Sequence, residues 1–399
     1  MVPNGWEKSD LTHLITIKHG FAFKSEFYSD KGQYVLLTPG SFYETGGFRD
    51  QGSKTKYYIG DIPDGYILSQ GDMLLAMTEQ AEGLLGSALF VPENNRYLHN
   101  QRLGLVQILN QEKVCKDFLY LFFNSPSIRK QITEQSTGTK VKHTSPDRLC
   151  SVIGLIPPLK EQQKIAEIIS SWDQAISATE RLLENSQEQK KALMQQLLTG
   201  KKRLLDENGV RFVGEWEKVH IKDCAECLDN KRVPLNSEQR SLMSGSIPYW
   251  GANGIVDYIS DFIFDETIVL LAEDGGYFDE YQTRPISNIS YGKCWVNNHA
   301  HILRAKKNSL NEWIYYCLVH KNILAFVNGG TRAKLNKSDM LMIPLLLPSL
   351  LEQKKIVSLL SLADQEIENL QKKLDCLKQE KKALMQLLLT GKKRVKVAA

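Results

Sequence analysis

The longest regular pattern in the chain is an apolar stripe that steps by four, three, four and three residues. Ala363, Ile367, Leu370, Leu374, Leu377, Leu384 and Leu388 follow it, with Lys381 in the one polar slot. The same register runs 191 residues earlier through Trp172, Ile176, Thr179, Leu183, Ser186, Lys190, Leu193 and Leu197. A stripe sustained over this many turns is a coiled-coil seam, and two matched stripes in one chain predict helices that pair with each other. Two separate amphipathic helices, each packed on its own domain, are the alternative. Thr179, Ser186 and Lys190 weaken the first stripe and leave room for a further partner. Each helix is expected to start after a proline (Pro157-Pro158 or Pro348) and to end at Thr-Gly followed by Lys-Lys-Arg. Proline suits a first helical turn and glycine the left-handed residue just past the last one. Cations there face the negative end of the helix dipole.

The stripes belong to an internal repeat. KKALMQQLLTGKKR at 190–203 recurs as KKALMQLLLTGKKR at 381–394, with 13 of 14 positions identical. Residues 157–203 and 348–394 agree at 24 of 47 positions without a gap, which is far above chance.

Outside the stripes the pattern changes. QYVLLTPG, GDMLLAM, TIVLLAED and YGKCWVN read as strands separated by glycine-rich turns. Short helices are expected over 116–125 and 311–319. The two strand-rich segments echo each other weakly. Trp6-Glu7 answers Trp216-Glu217, and NQRLGLVQI at 100–108 answers NNHAHILRA at 297–305. Gly138-Thr139-Lys140-Val141-Lys142 answers Gly330-Thr331-Arg332-Ala333-Lys334. The expected fold class is α+β: two mixed α/β domains separated by two long helices pairing as an antiparallel coiled coil, a pseudo-twofold internal repeat. The expected divisions are a domain at 1–156, a helix at 157–200, a linker at 201–213, a domain at 214–347, a helix at 348–391 and a basic tail at 392–399. Divergent domains on a repeated frame suit one kind of task performed on two different targets. A duplex with two half-sites is such a target. A helix over 173–199 would be about 40 Å long, near the roughly 34–36 Å of one turn of B-DNA.

Composition changes this picture little. The chain has 399 residues, 42% hydrophobic and 24% charged, which suits two or three ordinary soluble domains. The net charge of +4 neither announces nor excludes a nucleic-acid partner. The N-terminus lacks a basic stretch followed by an apolar core, so no signal peptide is expected. The most apolar run, 340–351, is short and broken by Pro344 and Pro348, so no membrane span is expected. Seven scattered cysteines then read as reduced thiols of a cytoplasmic protein.

Catalytic signatures are sparse. There is no phosphate-binding GxxxxGK[ST] loop; Gly200-Lys201 lies at a helix end. Ile156-Pro157-Pro158-Leu159 lacks the polar residue and the aromatic of an adenine methyltransferase motif. Glu273-Asp274-Gly275-Gly276 reads as a turn closing a strand. Cys224 and Cys227 have zinc spacing without a second pair, so no metal is expected. His299 and His301 alternate on an expected strand and would share one face.

The alternation of domains with two helices ending in LLTGKKR resembles the specificity subunits of Type I restriction-modification systems over essentially the whole chain. The second domain resembles a recurrent target-recognition type through KRVPLNSEQR, IPYWGANGIVDYI, FDETIVLLAEDGG and CWVNNHAHIL. The first resembles another through GFAFKS and VLLTPGSFYETGGF. The resemblance implies two target-recognition domains that each read one half of a split, asymmetric site in double-stranded DNA. It implies a coil that sets the spacer and docks two modification (methyltransferase) subunits, which restriction (translocase and nuclease) subunits join. It also implies that S-adenosylmethionine and ATP with magnesium act on those partners, while this chain binds no cofactor and is not catalytic. A free-standing DNA-binding regulator, or a nuclease or methyltransferase acting alone, are the rival readings.

DNA contacts require cations for phosphates and donors or acceptors for base edges. In the first domain the candidates are Lys24, Arg49, Lys54, Lys56 and Arg102, in or beside turn-rich segments with Tyr43, Phe48, Tyr57 and Tyr58. Lys140, Lys142 and His143 follow a Ser-Thr-Gly-Thr loop. In the second they are Lys231, Arg232, Arg240, Tyr249, Trp250, Asn253, Arg284, Arg332 and Lys334. The Gly-Thr-basic loops recur and suit shared backbone contacts. The segments 49–56, 231–232 and 249–253 differ between halves and suit base reading. Tyr249 and Trp250 could equally be core aromatics. Leu182, Met194, Leu198, Met385 and Leu389 lie off the main seam, where they would meet either a partner or the chain's own domains.

Overall fold

Met73–Ala76 and Ile268–Ala272 carry no polar alternation, and what covers them explains it. Met73 and Leu75 point into one apolar cluster with Ile15, Val106 and Phe118, while Leu74 and Ala76 point into another with Val35, Phe42 and Leu103. Val269 and Leu271 pack with Trp313 and Ile314, while Ile268 and Leu270 pack with Phe264, Val296 and Ile302. A strand buried on both faces reads as a continuous apolar run because successive side chains go to opposite faces. The structure is a computed structural model and describes residues 2–79, 83–329 and 333–397.

The chain divides into two compact units, Met1–Thr179 with Lys373–Ala399, and Glu180–Lys372. In the first unit, Met73–Ala76 lies in an antiparallel sheet ordered Ile15–His19, Leu103–Ile108, Met73–Ala76, Ala88–Phe90. In the second, the same order is kept by Ala225–Cys227, Ala300–Ala305, Ile268–Ala272 and Ser287–Ser290. Each unit also has a parallel pair: Tyr34–Leu36 with Tyr97–Leu98, and Ser244–Gly251 with Lys293–Val296. A short helix covers each main sheet, Lys116–Phe123 or Asn311–Leu318. Glu7–Ser9 pairs with Gly154–Ile156, and Glu217–His220 with Pro344–Leu347.

The long helices are Leu159–Leu197 and Leu350–Leu389. The compact units cut through both helices, whereas the sequence suggested helices standing between domains. In the first unit the start of the first helix lies beside the end of the second: Glu161 meets Arg394 and Asp173 meets Lys381. In the second unit Glu352 meets Arg203 and Asp364 meets Lys190. Within each unit the contacting pairs ascend along one helix and descend along the other, so the segments run antiparallel. Ile176, Thr179, Leu183, Leu197, Leu374 and Leu388 are buried. Trp172, Ser186, Leu193, Ile367, Leu370, Leu377 and Leu384 are half-buried, whereas Leu182 is exposed. The lysines in the polar slots, Lys190 and Lys381, take aspartate partners. Met194 and Leu198 pack on the core of the second unit, and Met385 and Leu389 on that of the first.

The near-identity of the helix ends has a physical cause. Glu161 accepts from Trp6 Nε1 (3.2 Å) and from the Arg394 guanidinium, whose Nη1 also donates to the Asn4 carbonyl (2.9 Å). Glu352 accepts from Trp216 Nε1 (3.1 Å) and from Arg203, whose Nη1 donates to the Gly214 carbonyl (2.9 Å). Gln162 accepts from Cys115 N–H (3.0 Å) and donates to the carbonyls of Lys113 and Pro157; Gln353 does the same with Leu310 N–H (3.1 Å), Asn308 and Pro348. Each unit is therefore closed by one Glu-Gln pair, one tryptophan and one arginine. Gly200 and Gly391 have φ of +71° and +66°, the left-handed state that the Thr-Gly ends require. Among the described residues no helix is long and apolar enough to cross a membrane.

Candidate nucleic-acid interface

At the end of each central strand the same backbone frame recurs. In the first unit Asn100 Oδ1 accepts from Arg102 N–H (3.0 Å), and the Arg102 carbonyl accepts from Met77 N–H (2.9 Å). In the second Asn297 Oδ1 accepts from His299 N–H (2.8 Å), and the His299 carbonyl accepts from Glu273 N–H (2.9 Å). Both asparagines are nearly buried. An asparagine bonding its own backbone two residues on is a local turn. Here it sets one side chain at the mouth of each sheet.

The residues that close the first basic loop, and Lys334 in the second unit, arrive at the same place. Lys142–His143 pairs with Thr78–Glu79, and Lys142 lies 3.8 Å from Glu79. Lys334 pairs with Asp274 and lies 3.2 Å from Glu273. This pairing puts His143 opposite Thr78 and Lys334 opposite Asp274, the same 191-residue offset as in the helices. Matching Lys142 to Lys334 from sequence was thus one residue out. Lys140 and His143 are exposed. Arg332 lies outside the described residues.

In the second unit a concavity forms here, lined by Gly251–Val256, Asp274, Gly275, Asn297 and His299. Asn253 Nδ2 donates to the Gly275 carbonyl (2.9 Å), and His299 Nδ1 donates to Asp274 Oδ1 (2.5 Å). Beneath it lies a charged cluster. His301 is buried, with Nδ1 on Asp229 (2.6 Å) and Nε2 donating to the Leu335 carbonyl (2.9 Å). Burial pushes the pKa of Asp229 up, but the bond from His301 and the nearby positive charges outweigh this and hold it below the ordinary aspartate value. His299 and His301 do not share a face, because His299 precedes the strand and bonds sideways to Asp274.

For Tyr249 the core alternative holds, and Arg232 is corrected. Tyr249 is 1% exposed and its hydroxyl is engaged with the Leu235 backbone, so it belongs to the core. Arg232 turns inward onto Glu273 and Asp229, and donates to the carbonyls of Asn298 and Ala300 on either side of His299. It buttresses that loop. Trp250 is half-buried, its Nε1 on Ser290 Oγ (3.1 Å). Lys231 is exposed, and Arg284 lies over the Tyr277 ring beside Glu280. Arg240 pairs with Asp257.

The remaining candidates of the first unit fall elsewhere. Arg49 pairs with Glu44 (2.6 Å), lies over Tyr43 and lines a second concavity with Asp50, Gln51, Thr55 and Tyr57. Lys54 ends a 3-10 turn at that rim, Lys56 lies over Tyr28, and Lys24 is exposed near Glu26. Arg102 is exposed, and its guanidinium has no partner among the described residues. Cys227, Asp229 and His301 approach one another within 4.8 Å. They fit a metal poorly, since both imidazole nitrogens are engaged and burial raises the Cys227 thiol to about 11.

One frame repeated in two units, with a different side chain presented at the tip of each, defines a paired recognition protein. The chain belongs to the family described as Type I restriction modification DNA specificity domain, whose sequence model matches residues 3–186 and 214–379. A Methanocaldococcus jannaschii protein named as the type I restriction enzyme MjaX specificity subunit is 25% identical across 99% of this chain and 95% of its own. A Haemophilus influenzae protein named as the specificity subunit S.HindORF215P is 36% identical, over 37% of this chain and 36% of its own length. The crystal structure of the Type I S subunit from M. genitalium matches 97% of both chains with a TM-score of 0.63 at 16% identity, a likeness of fold.

Proposed function

We propose that this chain is the non-catalytic DNA specificity subunit of a Type I restriction-modification complex. Each unit reads one half of a bipartite, asymmetric duplex site. The observation that carries this reading is the recurrence of one turn and one strand end in both units, with Lys142–His143 or Lys334 paired beside it, and with Arg102 in one and His299 in the other. Lys140, Lys142, His143 and Lys334 hold phosphates, and the tips read bases. Pairing of the long helices as an antiparallel coiled coil in a pseudo-twofold chain sets the spacer. It is supported by the burial of the seam and by the Lys190–Asp364 and Lys381–Asp173 pairs. Leu182 and Leu362, exposed on the helices, are where modification subunits dock. Those subunits supply S-adenosylmethionine, ATP and magnesium chemistry in the cytoplasm.

The test is a salt titration of duplex binding. Replacing Lys140 and Lys142 by alanine weakens binding on all sequences and lowers the slope of log K against log salt by about 1 to 2. An unchanged affinity and slope would remove this loop from the interface.

A further inference from the structure

We infer that Arg102 and His299 occupy equivalent specificity-determining positions, one for each half-site, and that Arg102 reads a guanine. This rests on the DNA-reading function proposed above. Each residue immediately precedes an inner strand whose first residue pairs with the last residue of the central strand, Leu103 with Ala76 and Ala300 with Ala272. Each receives the same turn from an asparagine two residues back, and each anchors its carbonyl on the residue that follows the central strand. The backbone is therefore held alike, and only the side chain differs.

The two tips have different chemistry. Arg102 is exposed, without a protein partner among the described residues, and its fork matches the O6 and N7 acceptors of guanine in the major groove. His299 is held sideways by Asp274, and a carboxylate accepts only, so Nδ1 carries the proton and Nε2 is the atom left for a base. Arg232, bonded to the carbonyls on both sides of His299, fixes the loop against Glu273. Asn253 stands beside it, oriented by the bond from Nδ2 to the Gly275 carbonyl, with Oδ1 as a second reading atom. A single ring nitrogen and an amide oxygen in a concavity select a different base edge from a guanidinium fork. The two half-sites therefore differ at the position these residues meet.

The experiment selects duplexes with randomised half-sites on the full chain assembled with its partner subunits, and sequences the bound pool. Arg102→His is expected to lose one guanine preference in one half-site, by roughly tenfold or more, with the other half-site unchanged. His299→Arg is expected to create a guanine preference in the other half-site alone, and His299→Ala to relax that same position. Variants that bind and enrich both wild-type half-sites unchanged overturn the inference while leaving the DNA-reading function intact. Changes that spread over both half-sites also overturn it. A wild-type complex that enriches no sequence overturns the inference together with the function it rests on.

Discussion

Replacing Glu352 by glutamine tests how the second unit is closed. The Glu352 side chain is 1% exposed and accepts from the Arg203 fork and from Trp216 Nε1. Glutamine keeps the volume but supplies one acceptor oxygen, and its amide turns donors towards donors. A hydrogen bond to a charged group contributes about 1.5–3 kcal/mol, and breaking a fully buried pair costs about 3–5 kcal/mol. Arg203 keeps 21% of its side chain exposed, so solvent recovers part of that cost. A loss of about 2–3 kcal/mol is expected. Amide hydrogen exchange in urea separates the units, since a two-unit chain need not unfold in one step. The loss should appear in 180–372 and leave 2–179 unaffected. Arg203→Met should cost less on the Glu352→Gln background than on the wild type, the signature of a coupled pair. Glu161→Gln should cost less, because Arg394 is 40% exposed against 21% for Arg203. A Glu352→Gln protein within about 0.5 kcal/mol of wild type, the range of ordinary surface changes, would refute this account of the repeated helix end.

His99 is fully buried, with Nε2 donating to the Leu103 carbonyl and Nδ1 without a partner among the described residues; burial lowers its pKa to about 4 from 6.5. The folded state holds this ring neutral while the unfolded chain protonates below 6.5. Stability is therefore full above that pH and falls by about 3 kcal/mol as the pH drops from 6.5 to 4. His99→Gln should flatten this part of the profile in urea midpoints measured at a series of pH values, and an unchanged slope would contradict it. Gly391→Ala should destabilise more than Gly200→Ala in thermal melts. Both glycines have positive φ, which costs an alanine about 1–2 kcal/mol, but a Cβ on Gly391 would lie 2.3 Å from Pro3 Cγ, whereas one on Gly200 meets nothing nearer than 3.5 Å. Equal losses would contradict the close approach.

The long stripes, their proline starts and glycine ends, and the unbroken strands Met73–Ala76 and Ile268–Ala272 were legible because each follows one local rule: period, backbone conformation, or burial on both faces. The equivalence of 100–108 with 297–305 was legible too, through a shared asparagine. What those segments do was not. Arg232 and Lys231 look alike in sequence, and only the presence of Glu273 and two carbonyls turns one inward. Tyr249 is hidden because its hydroxyl finds the Leu235 backbone, a partner 14 residues away. Charge in a sequence carries no direction, so the tips were hard to tell from their supports. The signal that could have singled out His299 was its place two residues after Asn297, matching Arg102 after Asn100.

Because the first unit joins residues 2–179 to residues 373–397, it cannot be finished in the order in which the ribosome delivers it. Trp6, Ile165 and Ile169 belong to a cluster completed by Leu388. They emerge early and then wait while 180–372 is synthesised, roughly ten to forty seconds at ordinary elongation rates. A nascent chain thus carries an uncovered greasy strip until the segment around Leu388 arrives. Truncated translation products would display that strip permanently, which gives cellular quality control a simple mark of incompleteness.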